Sequence, residues 1–324
     1  MAAVWITLAK TERPTASLTT TALDWKGALL GTAGLGSITF SLMQWETGQI
    51  YTHLAGLIGI ALLGAFVYAE KRVTAPMMPL DLFQSRTFTG SNLLTFFLYA
   101  ALAATLFYLP LNLIQIQGYS PTQAGAAMLP LVLIMFTLSR WAGGLLARYG
   151  AKLPLIVGPL ITAGGYGLLA RPGVGDPYWK AYLPAMMVLG FGMTITVAPL
   201  TTVIMSSVNQ RRAGAASGIN NAVSQTAALI AIAICSPLFY QVFSHSLTDH
   251  LQKAGVSRHI AEQIELQRRG LGAIQTQDAS AKFAVDESFV AAFRSLTLLA
   301  GASAAAGGIT AAFTIRNDDL GSGS

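Results

Sequence analysis

Long uncharged apolar runs separated by short polar connectors dominate the chain. No charged residue lies between Arg86 and Arg140. That stretch is broken only by Gly118-Tyr119-Ser120-Pro121, a turn signal whose proline is placed to open the next helix. Further uncharged runs extend from Leu153 to Ala170, Ala181 to Gln210 and Ala213 to Thr248. A bilayer core about 30 Å thick takes roughly 20 mainly apolar residues per helix. The pattern therefore predicts eight spans, at approximately 27–45, 52–69, 90–115, 122–147, 153–170, 181–205, 214–242 and 289–314. Runs such as Leu129-Pro130-Leu131-Val132-Leu133-Ile134-Met135-Phe136 do not alternate as barrel strands must. The expected class is an all-α integral membrane protein.

Composition narrows the function. Of 324 residues, 53 % are hydrophobic and 10 % charged, against about 25 % charged in soluble domains. So little charge cannot cover two water-exposed domains, and the bilayer is the first expected partner. One cysteine, Cys235, excludes a disulfide framework. The net charge of +6 comes from basic residues standing singly or in pairs between apolar runs. Without a basic stripe interleaved with aromatics, no nucleic-acid partner is expected. His53, His245, His250 and His259 form no H-E-x-x-H, and G-x-S-x-G and P-loop motifs are absent. No catalytic residue, metal site or cofactor is expected, and an intramembrane enzyme is the disfavoured class.

Orientation follows the Lys/Arg bias of short loops. One set of loops holds Lys10, Arg13, Lys26, Lys71, Arg72, Arg86, Arg148, Lys152, Arg211, Arg212 and Arg316; the opposite set holds Arg171 and Lys180. Eleven against two places the first set and the C-terminus in the cytoplasm, and a long loop near 244–288 outside. Met1 to Leu8 is apolar but too short to span, and no basic region precedes it as in a signal peptide. It reads as the tail of a helix that begins upstream.

From Leu23 onward the chain resembles the fourteen-helix drug:proton antiporters of the major facilitator superfamily, the EmrB/QacA type. Leu23-Asp24-Trp25-Lys26-Gly27 is similar to the family's L-D-W-x-G at the start of its seventh helix. Pro79-Leu80-Asp81-Leu82-Phe83, with Phe88, resembles the segment before the ninth. Tyr108-Leu109-Pro110, Gln115, Gly118-Tyr119-Ser120-Pro121 and Ala124-Gly125 match a third motif. Ala198-Pro199-Leu200 and Arg212-Ala213-Gly214-x-x-Ser217-Gly218 match the twelfth-to-thirteenth helix segment. The resemblance implies a truncated helix and linker over 1–26, an extra helix pair with its loop over 27–86, and a six-helix C-terminal bundle over 87–324. It also implies plasma (inner) membrane multidrug efflux of amphipathic compounds in exchange for protons, with the N-terminal bundle absent from this chain. A half-transporter needing that bundle in trans, or a second copy, is the alternative. Gly143-Gly144-Leu145-Leu146-Ala147-Arg148-Tyr149-Gly150-Ala151-Lys152 resembles the superfamily loop motif G-x-L-x-D-R-x-G-x-K, with Ala147 in place of the aspartate. In this remnant Gly143 and Gly150 are expected to allow close helix approach and a tight turn, with Arg148 and Lys152 on the cytoplasmic face and Arg148 an inner anchor.

Polar residues within spans are the substrate-path candidates. Tyr108, Asn112 and Gln115 fall at i, i+4 and i+7; Ser217, Asn221 and Gln225 at i, i+4 and i+8. Each stripe either lines a cavity or hydrogen-bonds between helices. Arg140, about 12 Å along the helix from Arg148 at 1.5 Å per residue, is either functional or snorkels. Arg294 is expected to snorkel at the outer end of the last span. All fourteen acids fall in loops, tails or helix ends, with Asp24 and Glu46 bracketing the first span. Gly214…Gly218, Ser303…Gly307 and Ala304…Gly308 suit tight helix packing. Trp25, Trp45, Trp141 and Trp179 suit interface belts. Ile260, Ile264 and Leu271 predict a short interfacial helix within the outer loop.

Overall fold

Aspartate, serine and proline at the starts of the apolar runs decide where helices begin. Asp24, Ser85 and Asp278 each accept a hydrogen bond from the backbone N–H three residues on, and Ser120 and Gln123 cap each other's backbone reciprocally. The computed structural model describes residues 24–44, 49–73 and 78–315, the side chain of Arg211 excepted. Met1 to Leu8, Lys10, Arg13, Leu23, Trp45, Glu46, Arg316 and the tail beyond lie outside the described residues.

The long helices are α1 (Trp25–Met43), α2 (Ile50–Glu70) and α3 (Arg86–Leu111), the last continuing as a π turn over Asn112–Ile116. A short α4 (Pro121–Ala126) leads into α5 (Leu129–Tyr149), followed by α6 (Lys152–Leu169). A single turn, α7 (Tyr178–Ala181), precedes α8 (Leu183–Ser206). Then come α9 (Ala213–Lys253), α10 (Arg258–Leu266) and α11 (Ala279–Thr314). Helix α11 packs on α3, α6 and α9; α8 joins α6 to α5; α1 and α2 form a hairpin whose α1 meets α9.

Seven described helices are long and apolar enough to cross a membrane, one fewer than the pattern predicts. The eighth stretch, α1, is helical, but its glycines, Ser37, Ser41, two threonines and Lys26 dilute its apolarity. The stretch assigned to a long outer loop is largely helical too. Helix α9 runs 41 residues and α11 36, roughly 60 and 54 Å at 1.5 Å per residue, well beyond a bilayer core. Charge along 244–288 obscured a helical period there: Phe243, Leu247 and Leu251 on α9 and Ala281, Val285 and Phe289 on α11 recur every four residues, and all are buried in one core. Ile264 of α10 is buried in the same core, against which Ile260 and Leu271 pack, so the expected interfacial helix closes this protruding end instead.

Small residues fix the tightest crossing. A Cβ on Gly192 would come within 2.8 Å of the Gly158 carbonyl oxygen, and one on Gly165 within 2.9 Å of the Leu189 backbone nitrogen. Gly307 lies against Leu94, Gly308 against Ile156, and Ser303 donates to the Phe97 carbonyl at 2.8 Å, so that predicted packing is present. Gly143, Gly214 and Gly218 differ: a Cβ there would meet nothing within 4 Å, so no close approach occurs among the described residues. Gly150 makes the expected turn, ending α5 at φ 72° and ψ −179°, which glycine alone adopts readily. Trp25, Trp141 and Trp179 are exposed.

Candidate functional site

Two adjacent asparagines on α9 diverge by about 100°, as successive helical residues must, and meet different fates. Asn220 turns inward, where its Oδ1 accepts from Thr95 Oγ1 of α3 at 2.7 Å. Asn221 turns outward with Ser217 and Gln225, and all three are exposed along one face. None of these three side chains has a hydrogen bond to a described residue. In a span, exposed amides face lipid, water or a second polar surface, and lipid offers them no partner.

The other stripe is split. Tyr108 is buried, donates to Ser236 Oγ at 3.2 Å and stacks on Phe239 with ring centroids 4.4 Å apart. Asn112 is buried and accepts from the Tyr182 hydroxyl at 2.9 Å. Gln115 lies against Gly272, its Oε1 buried without a partner. The π turn over Asn112–Ile116 adds a residue to the turn and rotates Gln115 away from the i, i+4, i+7 face. Gln117 and Tyr182, which the stripe did not include, complete the network. Gln117 Nε2 donates to Tyr182 Oη at 3.0 Å and to the Gly173 carbonyl at 2.8 Å, while its Oε1 accepts from Gly175 N at 2.9 Å. This knot ties the end of α3 to the α6–α7 connector. The Gly-Tyr-Ser-Pro turn beginning one residue later was the available signal for Gln117.

The basic residues occupy distinct positions. Arg140 is exposed on α5. Arg148, also exposed, stacks over the Tyr149 ring at 5.3 Å, and Lys152 opens α6. Arg294, expected to snorkel, has its Nε donating to the Ala170 carbonyl at 2.9 Å, so a cation closes the C-terminal end of α6. Asp81 and Arg212 come from two different matched motifs and form an ion pair. The Arg212 guanidinium holds the Asp81 carboxyl below its ordinary value.

An apolar cleft of about 730 Å³ separates the α1–α2 hairpin from α3 and α9. Gly27, Gly31, Phe66, Phe96, Gly218 and Ala222 are among its lining residues. It explains the open space beside Gly214 and Gly218, and it runs alongside the Ser217–Asn221–Gln225 face. At its hairpin end lies Glu70, buried at 3 % exposure, which its place in the charged Glu70-Lys71-Arg72 run concealed.

The Major Facilitator Superfamily profile matches residues 2–232. The multidrug resistance protein Stp of Mycobacterium tuberculosis is 27 % identical over 250 residues, covering 74 % of this chain and 46 % of that protein. The puromycin resistance protein of Streptomyces alboniger is 31 % identical over 235 residues, covering 70 % and 46 %. The tetracenomycin C resistance and export protein of Streptomyces glaucescens is 26 % identical over 265 residues, covering 79 % and 47 %. The chain thus spans about half the length of these curated relatives. Among solved structures, a bacterial homolog of the human lysosomal transporter Spinster, inward-facing and unoccupied, aligns with a TM-score of 0.51 at 14 % identity, covering 88 % of this chain and 66 % of that one. That likeness speaks to fold alone.

Proposed function

The chain belongs to the Major Facilitator Superfamily, and from that membership we propose that it serves multidrug efflux: export of small amphipathic compounds across the plasma membrane in exchange for protons. It is a multi-pass membrane protein of a transporter family, not an enzyme. The observation that carries the proposal is the Ser217–Asn221–Gln225 face on α9, three exposed polar side chains with no hydrogen-bond partner among the described residues, on a helix long and apolar enough to cross a membrane. A substrate passage supplies such groups with water or ligand, which lipid does not. Tyr108, Asn112, Gln115 and Arg140 stand further from the reading, because the first two are committed within the bundle and Arg140 lies on another helix. The relatives' names supply the class of cargo: a multidrug resistance protein and two antibiotic resistance proteins.

The test is a resistance profile in cells expressing a full-length version of the exporter. Asn221→Ala and Gln225→Ala are expected to change which compounds are tolerated while membrane abundance holds. Equal loss of abundance and of resistance to every compound overturns the assignment.

A second reading concerns the body this one moves against. We propose that residues 87–324 act as one bundle that works against another, either an N-terminal half in trans or a second copy. Residues 27–86 form the extra pair and 1–26 the linker in this division. Alternating access needs two bodies rocking about a site between them. Purified chain in liposomes under a pH gradient, with and without the separately expressed N-terminal half, decides this by the movement of a fluorescent cationic dye. Robust gradient-driven movement by the chain alone sinks the half-transporter reading.

A further inference from the structure

We infer that Asp24 and Glu70 form a carboxyl pair that binds one proton between them at the hairpin end of α1 and α2. Asp24 precedes α1, and its Oδ1 accepts from Gly27 N at 2.9 Å. Glu70 ends α2, and its Oε2 accepts from Met78 N at 3.3 Å. The remaining oxygens, Asp24 Oδ2 and Glu70 Oε1, are both buried and both without a hydrogen-bond partner among the described residues. They crowd one point, lying 2.6 and 3.0 Å from where a Cβ on Gly27 would sit.

Those two distances put the oxygens within 5.6 Å of one another, and two buried carboxylates so placed disfavour joint ionisation unless a cation compensates. None is supplied. Lys26, Lys71 and Arg72, the cations nearest in sequence, are exposed and make no ion pair with either acid; Arg72 stacks over the Tyr68 ring at 4.5 Å. Arg212, at the start of the facing α9, is paired with Asp81. The other buried acid, Asp286, shows the usual solution, with Lys282 Nζ 2.6 Å away. A metal ion fits poorly, because two free oxygens are far fewer than hard cations require, and no group of three His, Cys, Asp or Glu occurs among the described residues.

A single proton satisfies both orphan oxygens. Placed on Glu70 Oε1, it turns that oxygen into a donor beside the Asp24 carboxylate. The helix ends choose its location. Asp24 stands at the positive N-terminal end of α1 and caps it as an anion, whereas Glu70 stands at the negative C-terminal end of α2, where a second negative charge is unfavourable. If export is coupled to protons, which rests on the function proposed above, this pair is the place in the chain where a proton binds and leaves.

The experiment is infrared difference spectroscopy of the full chain in lipid nanodiscs, titrated from acid to alkaline pH with neither substrate nor gradient. Its outcome is therefore independent of whether the chain transports anything. A protonated-carboxyl C=O band is expected at pH 7 in the unmodified chain and absent in Glu70→Gln, which mimics the neutral acid. In Asp24→Asn the band is expected to persist but to disappear at lower pH, because the neighbouring charge is gone. A spectrum at pH 7 without the band, or a band that survives Glu70→Gln, overturns the proposal. Should Glu70→Gln fail to accumulate, an unchanged titration in Asp24→Asn overturns it equally.

Discussion

At the scale of single residues, direction around a helix decides consequence. Asn220→Ala removes one of the two acceptors of Thr95 Oγ1, the Ser91 carbonyl being the other, and is expected to cost about 1 kcal/mol, read as a lower melting temperature in detergent. Asn221→Ala removes no hydrogen bond among the described residues and is expected to leave that temperature unchanged. Equal destabilisation by both would mean the second asparagine packs as the first does. Gly150→Ala forces a Cβ into a backbone region reserved for glycine and is expected to destabilise by about 1–3 kcal/mol. The Asp81–Arg212 pair contributes with a definite sign. Its carboxyl is held low in the folded chain, so its contribution is present above the ordinary carboxylate value and is lost as pH falls through the lowered one. Asp81→Asn is expected to remove that part of the acid dependence of stability, and an unchanged acid limb would refute it. Both asparagines were visible in the sequence as polar residues in an apolar run, yet their roles depend on what stands opposite. Glu70 was hidden for the same reason: beside Lys71 and Arg72 it reads as a solvated loop charge.

At the scale of elements, two joints hold the bundle. The α6–α8 crossing depends on Gly158, Gly165 and Gly192, where backbones touch. Gly192→Ala would press its Cβ against the Thr162 backbone nitrogen at 2.6 Å and is expected to cost about 1–3 kcal/mol in forced separation. Gly143→Ala is the control, since nothing lies within 4 Å of it and no loss of thermal stability is expected. The other joint is the polar knot of Gln117, Tyr182 and Asn112. Tyr182→Phe strips the hydroxyl that both amides use, leaving Asn112 Oδ1 buried without its donor. The expected cost is about 1–3 kcal/mol, checked by thermal unfolding, with proteolysis at the α6–α7 connector as a second readout. The π turn that splits the Tyr108 stripe could not be read from spacing, because a helical wheel assumes a constant turn. Charge misled in the stretch 244–288, where a buried period of four runs beneath acids and bases.

At the scale of the whole molecule, the Lys/Arg bias makes a topological prediction. In a Cys235→Ser background, an impermeant reagent applied from outside is expected to label Ser257→Cys but not Asp318→Cys, and labelling of the second position would reverse the proposed orientation. By itself the sequence determined that this is an all-helical membrane protein of a transporter superfamily, and roughly where each helix lies. That information is local: an apolar run of sufficient length must satisfy its own backbone hydrogen bonds inside lipid, and only a helix does so within one segment. Caps and turns were legible on the same ground, since Asp24, Ser85, Ser120 and Gly150 act on neighbours within a few residues. The tertiary structure alone decided that Asn220 faces α3 while Asn221 faces out, that Asp81 meets Arg212, and that the free oxygens of Asp24 and Glu70 both lie beside Gly27. Those are pairings between segments far apart in the chain. Nothing in the local pattern of apolar and polar residues specifies which helix faces fit together, because that is settled by the shapes of side chains that meet only once the bundle has packed.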